Sequence, residues 1–277
     1  MTTLSLSTGS SIPQLGFGTY KVMPDDAQEI VEGALAAGYR HIDTAQMYGN
    51  EAEVGAAIAA SGIDRADIFV TTKLNNPNHL ADDARRSFDE SLTKLGTDYV
   101  DLFLMHWPLP TLYGGDFVGT YKVMEEFATD GRARAIGVSN FQIPHLEAVL
   151  ALADVVPAVN QIEIHPHFAN REVADFCQSR GIVVESWSPL GRGKDLQDPV
   201  ITGIAARIGA TPAQVALAWH LARGYVTIPK SATPERQVEN LAALGVRITS
   251  DDVAAIDALD QGEPGRYGPN PDTFAKV

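Results

Sequence analysis

The chain has 277 residues, 45% of them hydrophobic and 20% charged, with a formal net charge of −14, the balance of an ordinary globular protein. An acidic surface of this kind repels phosphate backbones and anionic lipid, so nucleic acid and membrane partners are not expected, although local Lys and Arg residues can still form an anion-binding cleft. Cys177 is the only cysteine, which excludes an internal disulfide and suits a reducing compartment. No apolar run approaches the ~20 residues of a membrane span, Met1-Thr2-Thr3-Leu4 lacks a basic start followed by an apolar core, and a cytoplasmic location is expected.

Leu4-Ser5-Leu6 and Ile12-Pro13-Gln14-Leu15 flank Thr8-Gly9-Ser10-Ser11, which predicts an N-terminal β-hairpin turning on glycine. Short apolar, often β-branched runs then recur at 15–17, 39–42, 68–72, 100–105, 135–138, 158–162, 182–185 and 225–228. Helical periods lie between them, at 27–35, 51–60, 82–95, 120–129, 143–152, 171–179, 199–208, 212–221 and 234–244. Thr211-Pro212 and Thr233-Pro234 are helix entries, and glycines such as Gly38 and Gly96 are helix exits. Strands alternating with helices, with no composition break, predict one parallel α/β domain over residues 1–277.

The choice is between an open doubly wound sheet and a closed barrel. An open dinucleotide-binding sheet carries G-x-G-x-x-G after its first strand, and Gly16-Phe17-Gly18 is followed by Lys21 where the third glycine belongs. A (β/α)8 barrel instead gathers functional groups at the C-terminal ends of many strands. Asp43, Lys73, His106, Ser139-Asn140, Gln161, Trp187 and Lys230 stand at seven such ends. The expectation is a TIM barrel with the hairpin closing its bottom.

A carboxylate, an ammonium and an imidazole on consecutive strands form a set that can move a proton. Asp43 and Lys73 would pair, since buried charges need partners. Tyr48, five residues after Asp43, is the candidate acid. A free Tyr has a pKa of about 10, and a neighbouring ammonium is expected to pull that value down.

Those residues resemble the aldo-keto reductase family. Gly38-Tyr39-Arg40-His41-Ile42-Asp43-Thr44-Ala45 with Tyr48 and Asn50-Glu51 resembles its first signature, and Gly137-Val138-Ser139-Asn140-Phe141 the second. Ile228-Pro229-Lys230-Ser231 with Arg236 and Asn240 resembles the third, while Thr72-Lys73 and Met105-His106-Trp107-Pro108 stand where the family has its other catalytic residues. The similarity runs from about Pro13 to Asp260 and is strongest to the bacterial 2,5-diketo-D-gluconate reductase-like branch.

The resemblance implies that Tyr48 is the acid, that Lys73 and Asp43 tune it, and that His106 orients the carbonyl. It implies a nicotinamide stacked on Trp187, its carboxamide held by Ser139, Asn140 and Gln161, and a pyrophosphate wrapped by Ser188-Pro189-Leu190-Gly191. Thr19, Tyr20 and Asp43 would also border the cofactor. Lys230, Ser231 and Arg236 would meet a 2′-phosphate, with Glu239 and Asn240 at the adenine, which favours NADPH over NADH. Thr233 stands where relatives can carry another arginine. Tyr20, Tyr48, Asn75, His106 and Trp107 would line the pocket for a small carbonyl substrate, Asn75 replacing an aromatic wall. The Gly- and Pro-rich tail, 262–270, is expected to be a mobile lid, and the protein a monomer.

Other signals carry less. His165-Pro166-His167 could suggest a metal, but no third ligand at suitable spacing accompanies it and loop contacts are expected instead. Lys73 could form a Schiff base as in an aldolase, a chemistry that needs neither Tyr48 nor the Lys230/Arg236 pair. A redox-sensing subunit that binds cofactor with little turnover is the non-enzymatic alternative.

Overall fold

The computed structural model describes residues 2–277; Met1 lies outside them. The hairpin forms from β1 (Thr3–Ser5) and β2 (Ser11–Pro13), paired antiparallel with Leu4 opposite Ile12. Eight strands follow: β3 (Phe17–Gly18), β4 (His41–Asp43), β5 (Phe69–Leu74), β6 (Leu102–Met105), β7 (Ile136–Ser139), β8 (Val159–Glu163), β9 (Val183–Trp187) and β10 (Val226–Thr227). All neighbours in the order β3 to β10 run parallel.

The sheet closes on itself. Leu15 bridges Thr227 in parallel, with Thr227 N donating to Gln14 O (3.0 Å) and Gly16 N donating to Thr227 O (2.9 Å). Closure leaves no exposed sheet edge. Side chains alternate across each strand: Ile42, Val70, Leu74, Phe103, Val138, Ile162 and Val184 join the outer core against the helices. Phe69, Leu102, Leu104, Val159 and Val226 join an inner cluster with Leu6 and Ile12 of the hairpin. Fully buried Ile12 therefore plugs the bottom of the barrel.

The helices pack outside: α1 (Pro24–Ala37), α2 (Glu51–Ala60), α3 (Ala81–Leu95), α4 (Phe117–Thr129), α5 (Ile143–Leu152), α6 (Arg171–Ser179), α7 (Pro199–Ile208), α8 (Pro212–Ala222), α9 (Pro234–Leu241) and α10 (Ser250–Asp257). No single one among the described residues is long and apolar enough to cross a membrane. Gly38 ends α1 at φ 115°, where its N–H reaches Ala34 O and Leu35 O, the left-handed exit that glycine permits.

Two boundaries differ from expectation for physical reasons. The strands start one or two residues late, and β4, β5, β7, β8 and β9 run past the expected apolar stretches, so Asp43, Lys73, Ser139 and Trp187 lie within strands. Those polar groups satisfy one another inside the barrel, so pairing continues where the apolar pattern stops. Helix α9 ends at Leu241, and 242–245 tightens into a 3-10 turn.

Candidate active site

Asp43 and Lys73 point inward from adjacent strands. Lys73 Nζ donates to Asp43 Oδ1 (2.6 Å), to Asp43 Oδ2 (2.7 Å) and to Thr44 O (2.9 Å). Both side chains are essentially inaccessible, and such burial is tolerable only because the charges face each other and remaining donors are satisfied. Gln161 Nε2 adds a third bond to the carboxylate, at 2.8 Å from Asp43 Oδ2.

Tyr48 ends a one-turn 3-10 helix, Gln46–Tyr48, that Gly49 terminates at φ 70°. Gln46 pins this turn. Its Nε2 donates to Ser87 O and Ser91 Oγ on α3, and its Oε1 accepts from Asn75 N and Asn78 Nδ2. Asn50 ties the same loop to the one after β3, accepting from Thr44 Oγ1 and donating to Thr19 O and Val22 O. The half-buried Tyr48 ring lies 5.1 Å from Lys73 Nζ, edge-on to His106 (5.7 Å) and beside Tyr20 (5.2 Å).

The net shift of Tyr48 runs against the lowering expected from Lys73. Burial first, and then the Asp43 charge, hold the phenol well above its ordinary 10.0. All three ammonium hydrogens are committed to Asp43 and Thr44, so none remains for the phenol oxygen. Tyr48 is a fully protonated donor. Burial, followed by Lys73, pushes His106 well below 6.5, so its ring is neutral, and its buried Nδ1 has no partner.

The residues implicated in cofactor binding form a connected wall. Trp187 Nε1 donates to Asn140 Oδ1 (2.8 Å), and Asn140 Nδ2 donates to His106 O and Ser139 Oγ. Ser139 Oγ donates to Gln161 O. Asn140 (φ 64°) and Ser188 (φ 51°) adopt left-handed backbone, a strain that clusters at functional sites. In the loop after β9, a Cβ on Gly191 would overlap the Asp195 carboxylate, so only glycine allows Ser188-Pro189-Leu190-Gly191 to fold there. Pro189 O accepts from buried His220.

Lys230 and Arg236 are exposed at the barrel rim, and neither meets a carboxylate among the described residues. Ser231 Oγ shapes the turn between them by accepting from Thr233 N. Two unpaired cations and a hydroxyl are the donor set a phosphate needs, so the residues present fit a phosphorylated dinucleotide. Asn240 is buried nearby, and Glu239 accepts from Thr211 Oγ1. Thr19 is fully buried beneath the site, and its hydroxyl donates to Asp43 O.

The mouth holds exposed Tyr20, half-buried Asn75 and buried Trp107, and also residues that the sequence reading missed. Phe274 of the tail packs on Trp107 with ring centroids 4.2 Å apart and planes tilted by 40°, and Asn76 Nδ2 donates to Lys276 O (2.7 Å). The tail is packed, contrary to the expectation of a mobile lid. Glu163 accepts from Tyr267 N and Gly268 N, and Tyr267 OH donates to Asp195 Oδ1. His165 stacks on Tyr267 (4.5 Å) and bonds Asp195 through Nδ1 at 2.7 Å. His165 and His167 thus serve loop contacts, His167 reaching Asp198 at 3.2 Å. Phe274, the only aromatic in the last ten residues, was the available signal.

Residues 14–261 match the family described as the aldo/keto reductase family. An aldo-keto reductase of Mycolicibacterium smegmatis is 46% identical over 271 residues, covering 98% of this chain and 97% of its own. Methylglyoxal reductase DkgA of Salmonella typhimurium is 42% identical over 275 residues, covering 99% and 98% respectively. Among solved structures, a mutant of Gox0644 in complex with NADPH is similar with TM-score 0.93 at 41% identity, covering 99% of this chain and 98% of that one.

Proposed function

The chain belongs to the aldo/keto reductase family and is an oxidoreductase acting between carbonyl and alcohol, and from this premise we propose that it uses NADPH to reduce small carbonyls of the 2-oxoaldehyde kind, with Tyr48 as proton donor. The observation that carries the reading is the convergence of Tyr48, His106 and the Asp43–Lys73 pair on one barrel mouth.

The bound dinucleotide supplies the hydride. Trp187, Ser139, Asn140 and Gln161 would hold its nicotinamide end, the loop Ser188-Pro189-Leu190-Gly191 its pyrophosphate, and Lys230, Ser231, Arg236, Glu239 and Asn240 its adenosine end. Tyr48 gives its proton to the carbonyl oxygen as negative charge develops there. A raised phenol pKa does not prevent this, because an alkoxide is a far stronger base than a phenolate. Lys73, 5.1 Å from the ring, stabilises the phenolate left behind, and Asp43 fixes the ammonium at that distance. His106, neutral, donates a hydrogen bond to the same oxygen without competing as an acid.

Two features support the finer choices. Unpaired Lys230 and Arg236 in a protein of net charge −14 favour the dinucleotide with the extra phosphate over NADH. The aromatic mouth, narrowed by Phe274 on Trp107, suits a short carbonyl, and the similar DkgA is a methylglyoxal reductase. Steady-state cofactor oxidation across glyoxal, methylglyoxal, keto-sugars and bulky aromatic ketones tests this. The expected result is turnover with NADPH in excess of NADH, with kcat/KM roughly tenfold or more higher for the short dicarbonyls, the ~1.4 kcal/mol that a modest pocket clash costs. NADPH binding without consumption of any of these would overturn it in favour of a sensor.

A further inference from the structure

Below Asp43 and Lys73 the barrel holds a second acid that the reaction above does not use. Glu185 points inward from β9 and is fully buried. Its Oε2 accepts from Gln161 Nε2 at 2.8 Å, the same nitrogen that donates to Asp43 Oδ2 at 2.8 Å. One amide group therefore holds two carboxylates. Glu185 Oε1 has no hydrogen-bond partner and lies 3.6 Å from His41 Nε2.

The charges do not balance if both acids are ionised. From β4 the facing groups are Asp43 and His41; from β5, Lys73; from β8, neutral Gln161; from the turn after β4, Tyr48; and from β10 the register neighbour is apolar Val226. Burial pushes His41 down to about 3, so it contributes no positive charge. Lys73 is the single cation for two buried carboxylates, and an unpaired carboxylate at such a site takes up a proton rather than remain charged. Asp43 has two bonds from Lys73 and one from Gln161, whereas Glu185 has one. The proton belongs on Glu185.

We propose that Glu185 is a positioning residue that stays protonated at neutral pH, holds the Asp43–Lys73 pair in place through Gln161, and weakens Tyr48 as an acid when it ionises. This rests on Tyr48 being the proton donor. Burial, followed by the Asp43 charge, raises Glu185 to about 8, and its negative charge, once formed, adds to those that raise Tyr48. Ionised Glu185 adds a second carboxylate, this one without a cation, near the phenol, so transfer of the proton slows.

Two readouts test the proposal. In wild-type enzyme with NADPH and methylglyoxal, the rate should fall about tenfold from pH 7 to pH 9, following the protonated fraction of an acid titrating near 8. In Glu185→Gln, which mimics the protonated acid in shape and charge, the ratio of the two rates should stay within about twofold, while Glu185→Asp should restore the fall. A ratio taken within each variant is unmoved by a general loss of activity or stability. Infrared spectra of the cofactor-free protein at pH 7 should contain the C=O stretch of a buried carboxylic acid, lost in Glu185→Gln. An alkaline fall that persists in Glu185→Gln, or the absence of that band from wild type, would overturn the role of Glu185. Absence of turnover at every pH overturns the reductase reading instead, and the infrared band decides the protonation of Glu185 without it.

Discussion

Lys73 spends its three hydrogens on Asp43 and Thr44, and the electrostatics of the site depend on that. Replacing it by Met strands Asp43 as a buried carboxylate, which should cost about 3–5 kcal/mol at pH 7. Asp43 would then have its folded-state pKa raised further, so the penalty is full only above that raised value and shrinks as pH falls from it towards the ordinary carboxylate range. Denaturant titrations at pH 7 and pH 5 should show this, and adding Asp43→Asn to Lys73→Met should recover most of the loss. A double variant as unstable as Lys73→Met alone would contradict the charge argument. At this scale the sequence made Asp43, Lys73 and His106 stand out through their positions at strand ends, and Tyr48 through the loop that follows Asp43. It could not show which way Tyr48 shifts, since that depends on how deep the ring lies and who takes the ammonium hydrogens. Glu185 was equally hidden: in the sequence it is a polar residue closing an apolar run, and Gln161, its partner, lies 24 positions earlier.

The alternation of strands and helices was readable from period and from helix entries such as Thr211-Pro212, because those signals are local. The tail was not, because what holds it is distant. Glu163, His165 and Asp195 lie on two different loops and strand ends, yet they anchor Tyr267 and Gly268 across the mouth. Gly268 passes so close to Trp187 that a Cβ would lie 2.5 Å from the indole. Burial alone would lower His165, but the Asp195 hydrogen bond and the Glu163 carboxylate, 3.4 Å from Nε2, outweigh it and raise the imidazole above 6.5. A raised histidine contributes stability that is full below 6.5 and lost as pH rises through its folded value. For Asp195 burial is likewise outweighed, by His165, and its value drops below 3.8, so its contribution is present above 3.8 and lost on acidification through the depressed value. The anchor is therefore strongest between these limits. Thermal melts should show wild-type stability declining on the alkaline side. His165→Ala should lose about 3–5 kcal/mol at pH 6 and show no such decline. An unchanged alkaline slope in the variant would remove His165 from the anchor.

For the molecule as a whole, the failed G-x-G-x-x-G pattern and the polar strand ends pointed to a closed barrel, and the Leu15–Thr227 bridge closes it. Closure makes the proposed mechanism possible, since it brings residues from β4, β5, β8 and β9 into one buried interior where a single amide can hold two acids. It also keeps a strongly acidic chain compatible with an anionic cofactor, because Lys230 and Arg236 meet no carboxylate among the described residues while Asp43 is paired with Lys73. The substrate was the least legible property, since the pocket is shaped by Phe274 and the anchored tail rather than by any motif. The account stands on Tyr48 as the proton donor, and Tyr48→Phe tests it most directly. With NADPH and methylglyoxal, the variant should lose about 10²–10⁴-fold in turnover while binding NADPH as wild type does. Turnover at the wild-type rate in Tyr48→Phe would contradict it.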